Sequence, residues 1–211
     1  ATGAWLDAAN RDWRSAVKLT LPDNDVFAID AMANPPRQSA VFQAVGTLNK
    51  SLAVNPTSGK LFVATIEAIN QNRFISLPTM GLVPNPNRVG GAATTADPLT
   101  GATLNGHLYE SRVAILEPGR PVVTRHLNKH INYEVVPSPP GVKERSISDP
   151  QGLAFSPDGS TLFVAGLGSN EIVPFQTAQL ENDTFVPTAS THIPLSGAGG
   201  PTDMRFDASG T

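Results

Sequence analysis

Three histidines in two irregular segments of the sequence are the first candidates for chemistry: His107, His126 and His130. His126 and His130 are four residues apart, so they would share one face of a helix or of a strand. Together with a carboxylate from Glu110 or Glu144, two imidazoles form a ligand set suited to zinc, copper or iron. These histidines are therefore a candidate metal site, for copper or another transition metal. The alternative is that they are loop residues hydrogen-bonded to the backbone.

A second candidate site is a cluster of basic residues in the same region. Arg125, Lys129 and Arg145 lie close together in the sequence, and such a cluster could hold an anionic ligand at the mouth of a central channel. We therefore name these three residues as candidate ligand-binding residues. The alternative is a solvated loop in which they form ion pairs with Glu134 and Glu144.

The sequence lacks the other motifs that would assign an activity. It contains no cysteine, which excludes a disulfide, a thiolate metal site and c-type haem attachment within these residues. It also lacks a Gly-x-Ser-x-Gly nucleophile elbow, a Walker loop and a Gly-x-Gly-x-x-Gly fingerprint. The catalytic residues are therefore unknown, and the sequence leaves open whether the protein is an enzyme.

The elements that must position these residues are short strands joined by recurring turns. Residues 149–175 contain three apolar runs separated by Ser-Pro-Asp-Gly and Gly-Ser-Asn, a pattern typical of an antiparallel meander. The segment 52–64 repeats 153–165 almost position for position, and 201–210 matches the same pattern again. Recurrence at about 50 residues, or twice that, is typical of the blades of a radial repeat.

These repeats resemble the YVTN-type propeller repeat, in which an Ala-x-Ser/Thr-Pro-Asp-Gly run precedes a strand that ends in Val-Ala. The run Asp-Val-Phe-Ala-Ile-Asp at 25–30 is similar to the closing strand of such a repeat. The resemblance implies an all-β fold, a β-propeller of four-stranded antiparallel blades. It implies no single activity, because propellers of this type include binding modules, lactonases and cofactor enzymes.

The predicted organisation is a partial β-propeller over residues 1–211. A propeller typically has at least four blades, and fewer complete ones can be found, so we expect a fragment or one part of a larger propeller. The predicted segments are an N-terminal helical segment (1–16), the end of a blade (17–33), a blade (45–120) with a long insertion (77–105), an irregular connection (121–148), a blade (149–178) and the start of a truncated blade (193–211).

Two local predictions concern the first blade. Strands at 17–21 and 26–29 are expected to form a hairpin around Pro-Asp-Asn. The Asn-Pro-Pro-Arg run at 34–37 interrupts the strand pattern, because proline lacks the N–H that a sheet ladder needs. We therefore expect this run to lead the chain into the next blade.

Charge and hydropathy restrict the partners. The net charge is −3 and the pI is near 5.8, so the chain has no basic footprint for nucleic acid or an anionic membrane. No apolar run approaches the length of a spanning helix, and no membrane span is expected. The expected partners are the rest of the polypeptide or another chain that completes the propeller.

A second resemblance concerns the irregular connection. The run at 125–133, the Pro-Pro-Gly-Val-Lys-Glu-Arg run and the following blade are similar to bacterial exported propellers fused to c-type cytochrome domains. This resemblance implies a periplasmic or extracellular protein that works near electron transfer. Because Cys-x-x-Cys-His is missing from the sequence, haem would be carried only on another part of such a protein.

The function we expect is an exported binding or scaffold module, as part of a larger cytochrome-linked redox protein. Rigid blades would form the frame, and the long loops at 77–105 and 122–148 would present polar and basic groups on one face. The alternative is an enzyme, either a metal- or haem-linked oxidoreductase or a lactonase-like hydrolase. Its site would lie in the 107–145 loops.

Overall fold

Antiparallel strands form most of the part of the chain that the computed structural model describes. The described residues are 9–13, 23–69, 107–133, 135, 137–197, 199–207 and 209–210. The strands are β1 (Val26–Asp30), β2 (Arg37–Phe42), β3 (Leu48–Val54), β4 (Leu61–Ala68), β5 (Tyr109–Leu116), β6 (Val123–His126), β7 (Pro150–Phe155), β8 (Thr161–Gly166), β9 (Glu171–Gln176) and β10 (Ile193–Pro194). The helices are α1 (Thr177–Glu181) and single 3-10 turns at Lys143–Arg145 and Ala189–Thr191.

The strands form three sheets in chain order. β1 and β2 make a hairpin, β3 to β6 make a four-stranded sheet, and β7 to β10 make a second four-stranded sheet. Every neighbouring pair is antiparallel. We call these the first, second and third sheets. The predicted all-β fold with four-stranded antiparallel sheets is confirmed, and the complete propeller ring remains a prediction.

The two full sheets begin with the same hairpin turn, which explains the repeat in the sequence. Gly59 and Gly159 both have a φ of 72°, a conformation that glycine adopts without steric cost. Each turn is closed by the same backbone bond: Asn55 donates its N–H to the Lys60 carbonyl and Ser156 donates to the Thr161 carbonyl, both at 2.9 Å. The repeated residues therefore close equivalent turns, although Gly59 stands one position later in its turn than Gly159.

The main hydrophobic core lies between the second and third sheets. Phe62 of β4 contacts Phe155 of β7 edge to face, with ring centroids 5.0 Å apart. On the other face of the second sheet, the β1–β2 hairpin packs over Val63 and Leu116. The second sheet is therefore packed on both faces. Residues buried between the two full sheets include Ala64, Val113, Ile115, Leu127, Ile147, Leu153, Leu162, Val164, Val173, Phe175, Leu180 and Phe185.

Hydrogen bonds join the turns of neighbouring sheets. The buried Asn55 donates from Nδ2 to the Gly159 carbonyl at 2.9 Å, and Thr57 donates from Oγ1 to the Asp158 carbonyl at 2.7 Å. Lys60 also reaches Glu181 of α1 at 2.9 Å. These contacts link equivalent positions of consecutive repeats, so the two sheets are held side by side in a fixed relation.

The segment after β10 lies against the far side of the third sheet. Phe206 contacts Phe163 of β8 with ring centroids 5.4 Å apart. A Cβ added at Gly152 of β7 would come within 2.7 Å of the Asp203 backbone, so glycine permits this close approach. The second sheet, the third sheet and 201–206 thus follow one another in the manner of propeller blades.

Two predicted segments contain strands that the sequence did not reveal. The connection at 121–148 was predicted to be irregular, but Val123–His126 forms β6 and pairs with β5. The segment 193–211 was predicted to start a truncated blade, but Ile193–Pro194 forms β10 and completes the third sheet. Both strands are short, and each is defined by its pairing with the preceding strand rather than by a local pattern of its own.

The first sheet also differs from its prediction. Residues 34–37 were expected to lead into the next blade, but the chain turns here and β2 pairs back onto β1. The predicted partner strand at 17–21 and the insertion at 77–105 lie outside the described residues. Most of the predicted helix at 1–16 does too, and its described part, 9–13, contains no helical turn. Among the described helices, none is long and apolar enough to cross a membrane.

Candidate functional site

The candidate site lies at one end of the second sheet. β4 ends there at Ala68, β5 begins there at Tyr109, and β6 ends there at His126, because neighbouring strands run in opposite directions. Just beyond the strands, Ile69 donates its N–H to the Leu108 carbonyl at 3.0 Å. We call this the insertion end, since the connections 69–107 and 127–149 both leave or enter the sheet here.

Five polar and aromatic side chains meet at the insertion end. His107 Nε2 lies 3.1 Å from Glu110 Oε1, and Arg112 donates to Glu110 Oε2 from Nε at 2.8 Å and from Nη2 at 2.6 Å. The ring of His107 stacks on Tyr133 at a centroid distance of 3.6 Å and an angle of 4°. The Tyr133 hydroxyl lies 3.1 Å from His126 Nε2. These five residues are called the polar network below.

Strand register explains why these side chains meet. Arg112 of β5 is the pairing partner of His126 on β6, and side chains of paired residues project from the same face of a sheet. Glu110 is two residues before Arg112 on β5, so it projects from that face as well. The irregular segment after β6 then brings Tyr133 back over His126 and His107.

The tyrosine and the histidine of this network are both uncharged at neutral pH. Burial, followed by the negative charge of Glu110, raises the pKa of Tyr133 to about 12. Burial lowers the pKa of His126, an effect that Glu110 opposes and that Arg112 and His107 reinforce. At neutral pH a neutral phenol therefore shares a hydrogen bond with Nε2 of a neutral imidazole.

Glu110 carries the negative charge of the network. Burial favours its neutral form, but the hydrogen bond from Arg112 and the charges of His126 and Arg112 outweigh burial and lower the pKa of Glu110 below its ordinary value. The carboxylate is thus ionised at neutral pH and paired with the guanidinium. The negative charge of Glu110 is thus balanced within the network by the positive charge of Arg112.

Replacing Glu110 with Gln should make the protein less stable at neutral pH but not at low pH. The pKa of Glu110 is lower in the folded state than in the unfolded state. The stabilisation by its carboxylate is therefore fully present above the ordinary pKa and is lost as pH falls through the pKa of the folded state. We expect a loss of about 0.5–1 kcal/mol at pH 7, modest because the pair is partly exposed, that vanishes near pH 3. Urea unfolding across this pH range measures it.

The control for this pH dependence is Glu117→Gln on the exposed turn at the opposite end of the sheet. That variant should change stability little at any pH in the range. A loss for Glu110→Gln that is the same at pH 3 and pH 7 would contradict the assignment of an ionised, paired carboxylate.

The three predicted metal-binding histidines are placed in two groups. His107 and His126 both contact Tyr133. His130 lies apart, with Nε2 at 3.1 Å from the Val142 carbonyl and 3.2 Å from Ser146 Oγ. Across the described part of the chain, no group of three or more His, Cys, Asp or Glu side chains is arranged to hold a metal ion.

His130 leaves one ring nitrogen unused. Since a carbonyl only accepts, Nε2 of His130 carries the proton and donates to Val142. Its Nδ1 is buried and has no hydrogen-bond partner, and burial lowers the pKa of this histidine. The ring is therefore neutral with an unpaired acceptor atom.

The predicted anion-binding residues have partners within the fold. Arg125 donates from Nε and Nη2 to the carbonyls of Leu180 and Glu181, which lie at the C-terminal end of α1, where cations are favoured. Lys129 Nζ lies 3.0 Å from Asp183 Oδ1. Of the partners predicted for the basic residues, Glu134 lies outside the described residues, and Lys129 pairs with Asp183 rather than with Glu144. Arg145 lies elsewhere, in the lining of a cleft beside β9 of the third sheet.

Comparison with known proteins assigns no family to this chain. No protein-family model matches the chain, and no curated protein matches it. Among solved structures, hydrazine synthase of Kuenenia stuttgartiensis is similar, with a TM-score of 0.47 and 15% sequence identity. The similarity covers 81% of this chain and 42% of that chain. The chain thus spans less than half of the protein it matches.

Sequence reasoning missed two members of the polar network. Tyr133 stands in the run that contains His126 and His130, but nothing in its local pattern showed that it would cover His107. Arg112 sits inside an apolar strand, and only the β5–β6 register brings it beside His126. Because β6 was not predicted, that register could not have been used.

Proposed function

We propose that this chain is a noncatalytic binding module whose binding surface is the insertion end of the second sheet. The observation that carries the proposal is that connections 69–107 and 127–149 meet the sheet at the same end, with the polar network between them. The sheets form a rigid frame, and loops on such a frame commonly provide binding surfaces.

The chemistry of the network supports binding over proton transfer. A general acid or base works best with a pKa near the working pH, whereas burial and Glu110 raise the pKa of Tyr133 to about 12. The Glu110 carboxylate is held by Arg112 at 2.6 Å. Side chains fixed in this way give a preformed surface with little rotamer entropy left to lose on binding.

Deleting residues 77–105 tests this proposal. Folding, followed by circular dichroism and urea unfolding, should be nearly unchanged, and partner binding should be lost. Affinity capture with quantitative mass spectrometry would compare the intact chain, the deletion and a control with a Gly-Ser replacement of 117–120 at the opposite end. Partners retained equally by the deletion and by the intact chain would overturn the proposal.

The second candidate function is a metal-linked oxidoreductase or a lactonase-like hydrolase. The buried, unpaired Nδ1 of His130 favours it, because such an atom is available as a ligand. Metal analysis of the purified protein separates the two functions. Stoichiometric copper, zinc or iron that is lost in the His126→Ala, His130→Ala double variant would favour the enzyme.

We also propose that further blades complete this module, from the rest of a longer polypeptide or from another chain. Leu153 on β7 is 6% exposed because the second sheet covers it, whereas the equivalent Leu52 on β3 is 57% exposed. A preceding blade would cover Leu52 in the same way. The proposed location, periplasmic or extracellular, and the link to a cytochrome domain rest on the resemblance of 125–133 to exported propellers.

A further inference from the structure

A cleft of about 140 Å³ opens beside β9 of the third sheet, and no side chain of the polar network lines it. It lies where β9 and α1 meet the loop at 185–192 and the segment at 127–147. Its floor consists of side chains that are almost fully buried in the main core. The floor residues are Leu127, Ile147, Val173, Phe175 and Phe185. Such a surface favours an apolar group.

The lining of the cleft includes one arginine and one histidine, Arg145 and His192. His192 Nδ1 lies 3.0 Å from Glu171 Oε2, and both side chains are largely buried. Since a carboxylate accepts, the imidazole donates from Nδ1, and this bond fixes the orientation of the ring. The oriented ring is one wall of the cleft.

Arg145 is positioned to receive a carboxylate. Its Nε donates to the Gly141 carbonyl at 2.8 Å, which anchors the guanidinium at one edge. The described side chains that line the cleft include no Asp or Glu, so no acidic group of the lining neutralises this cation. A guanidinium held in this way can bind a carboxylate through two parallel hydrogen bonds.

We propose that this cleft binds a small monocarboxylic acid with an aromatic or branched apolar body. The carboxylate pairs with Arg145, and the apolar body lies on the floor near Phe185, beside the ring of His192. The volume agrees with this class, since an apolar cavity of about 150 Å³ accommodates benzene. Three of the lining residues, Leu127, Arg145 and Ile147, belong to the connection 127–149, but the inference rests on the lining of the cleft alone and does not depend on the proposed function.

Titration of the intact chain with benzoate tests this inference. We expect saturable binding at one site by calorimetry, with shifts of backbone amide resonances in 173–179 and 188–192 and none in the turn at 55–60. Benzyl alcohol has the same ring but no charge, and should bind about tenfold more weakly or worse. Arg145→Met should weaken benzoate binding by a similar factor.

Lys143→Met is the matched control, because Lys143 is in the same 3-10 turn but does not line the cleft. It should leave benzoate affinity within about twofold. Equal affinities for benzoate and benzyl alcohol in the intact chain would overturn the inference without any variant. An equal loss of affinity in both variants would also overturn it, because it would indicate nonspecific attraction. So would a titration that does not saturate at millimolar benzoate. Circular dichroism of each variant verifies folding.

Discussion

Leu153→Ala is expected to lower the free energy of unfolding by about 2–5 kcal/mol, whereas Leu52→Ala should lower it by less than about 1 kcal/mol. The two leucines occupy the same position of the repeat, on β7 and β3. Leu153 is 6% exposed and packs between the full sheets, so its truncation leaves a cavity, while Leu52 is 57% exposed. Urea unfolding of both variants measures the difference.

This pair of variants separates packing from residue type. The same atoms are removed from equivalent strands, so a difference in stability reports only what covers each side chain. A loss at Leu52 as large as that at Leu153 would contradict the exposed face of β3 and would show that something buries it in solution. Equal, small losses at both positions would contradict the core between the sheets.

The strands that the sequence could predict are those with strong local signals. β7, β8 and β9 lie on the three apolar runs of 149–175, because β-rich runs between Pro-Asp-Gly and Gly-Ser-Asn turns have few other compact arrangements. The turn glycines could be found as well, since Gly59 and Gly159 occupy a conformation that other residues avoid.

The strands that could not be predicted are too short to carry a pattern of their own. β6 and β10 have four and two residues, too short for a visible alternation. The turn at 34–37 is a related case, because proline at a strand end is compatible with both a hairpin and a crossing to another sheet. Only the pairing of β1 with β2 decides between them.

The same distinction applies to the candidate site. His107, His126 and Glu110 could be chosen from residue type alone. The anion-binding hypothesis for Arg125 and Lys129 could not include α1 or Asp183, because contacts between 125–129 and 180–183 join segments more than 50 residues apart in the chain. The type of a residue indicates what its side chain can bind, and the fold determines which partners within the protein it already has.

The largest polar effect should come from Asn128, which sequence reasoning did not single out. Its buried side chain donates from Nδ2 to the Ile147 carbonyl and accepts from the Ile147 N–H, both at 2.8 Å. Asn128→Ala leaves both buried backbone groups without a partner, at a cost of about 1–3 kcal/mol each. We therefore expect a loss of about 2–5 kcal/mol in urea unfolding. Asn182→Ala, which removes one exposed hydrogen bond to Ala178, should cost less than about 1 kcal/mol.

Asn128→Asp distinguishes these hydrogen bonds from simple packing. The new carboxylate can still accept from the Ile147 N–H but faces the Ile147 carbonyl, so its pKa should be raised in the folded state. The protonated form of the new carboxyl group then stabilises the fold below the pKa of the unfolded state, which is about 4. This stabilisation is lost as pH rises through the raised pKa of the folded state. The deficit relative to the native chain should shrink as pH falls from 7 toward 4. A deficit independent of pH would show that Asn128 contributes by shape alone.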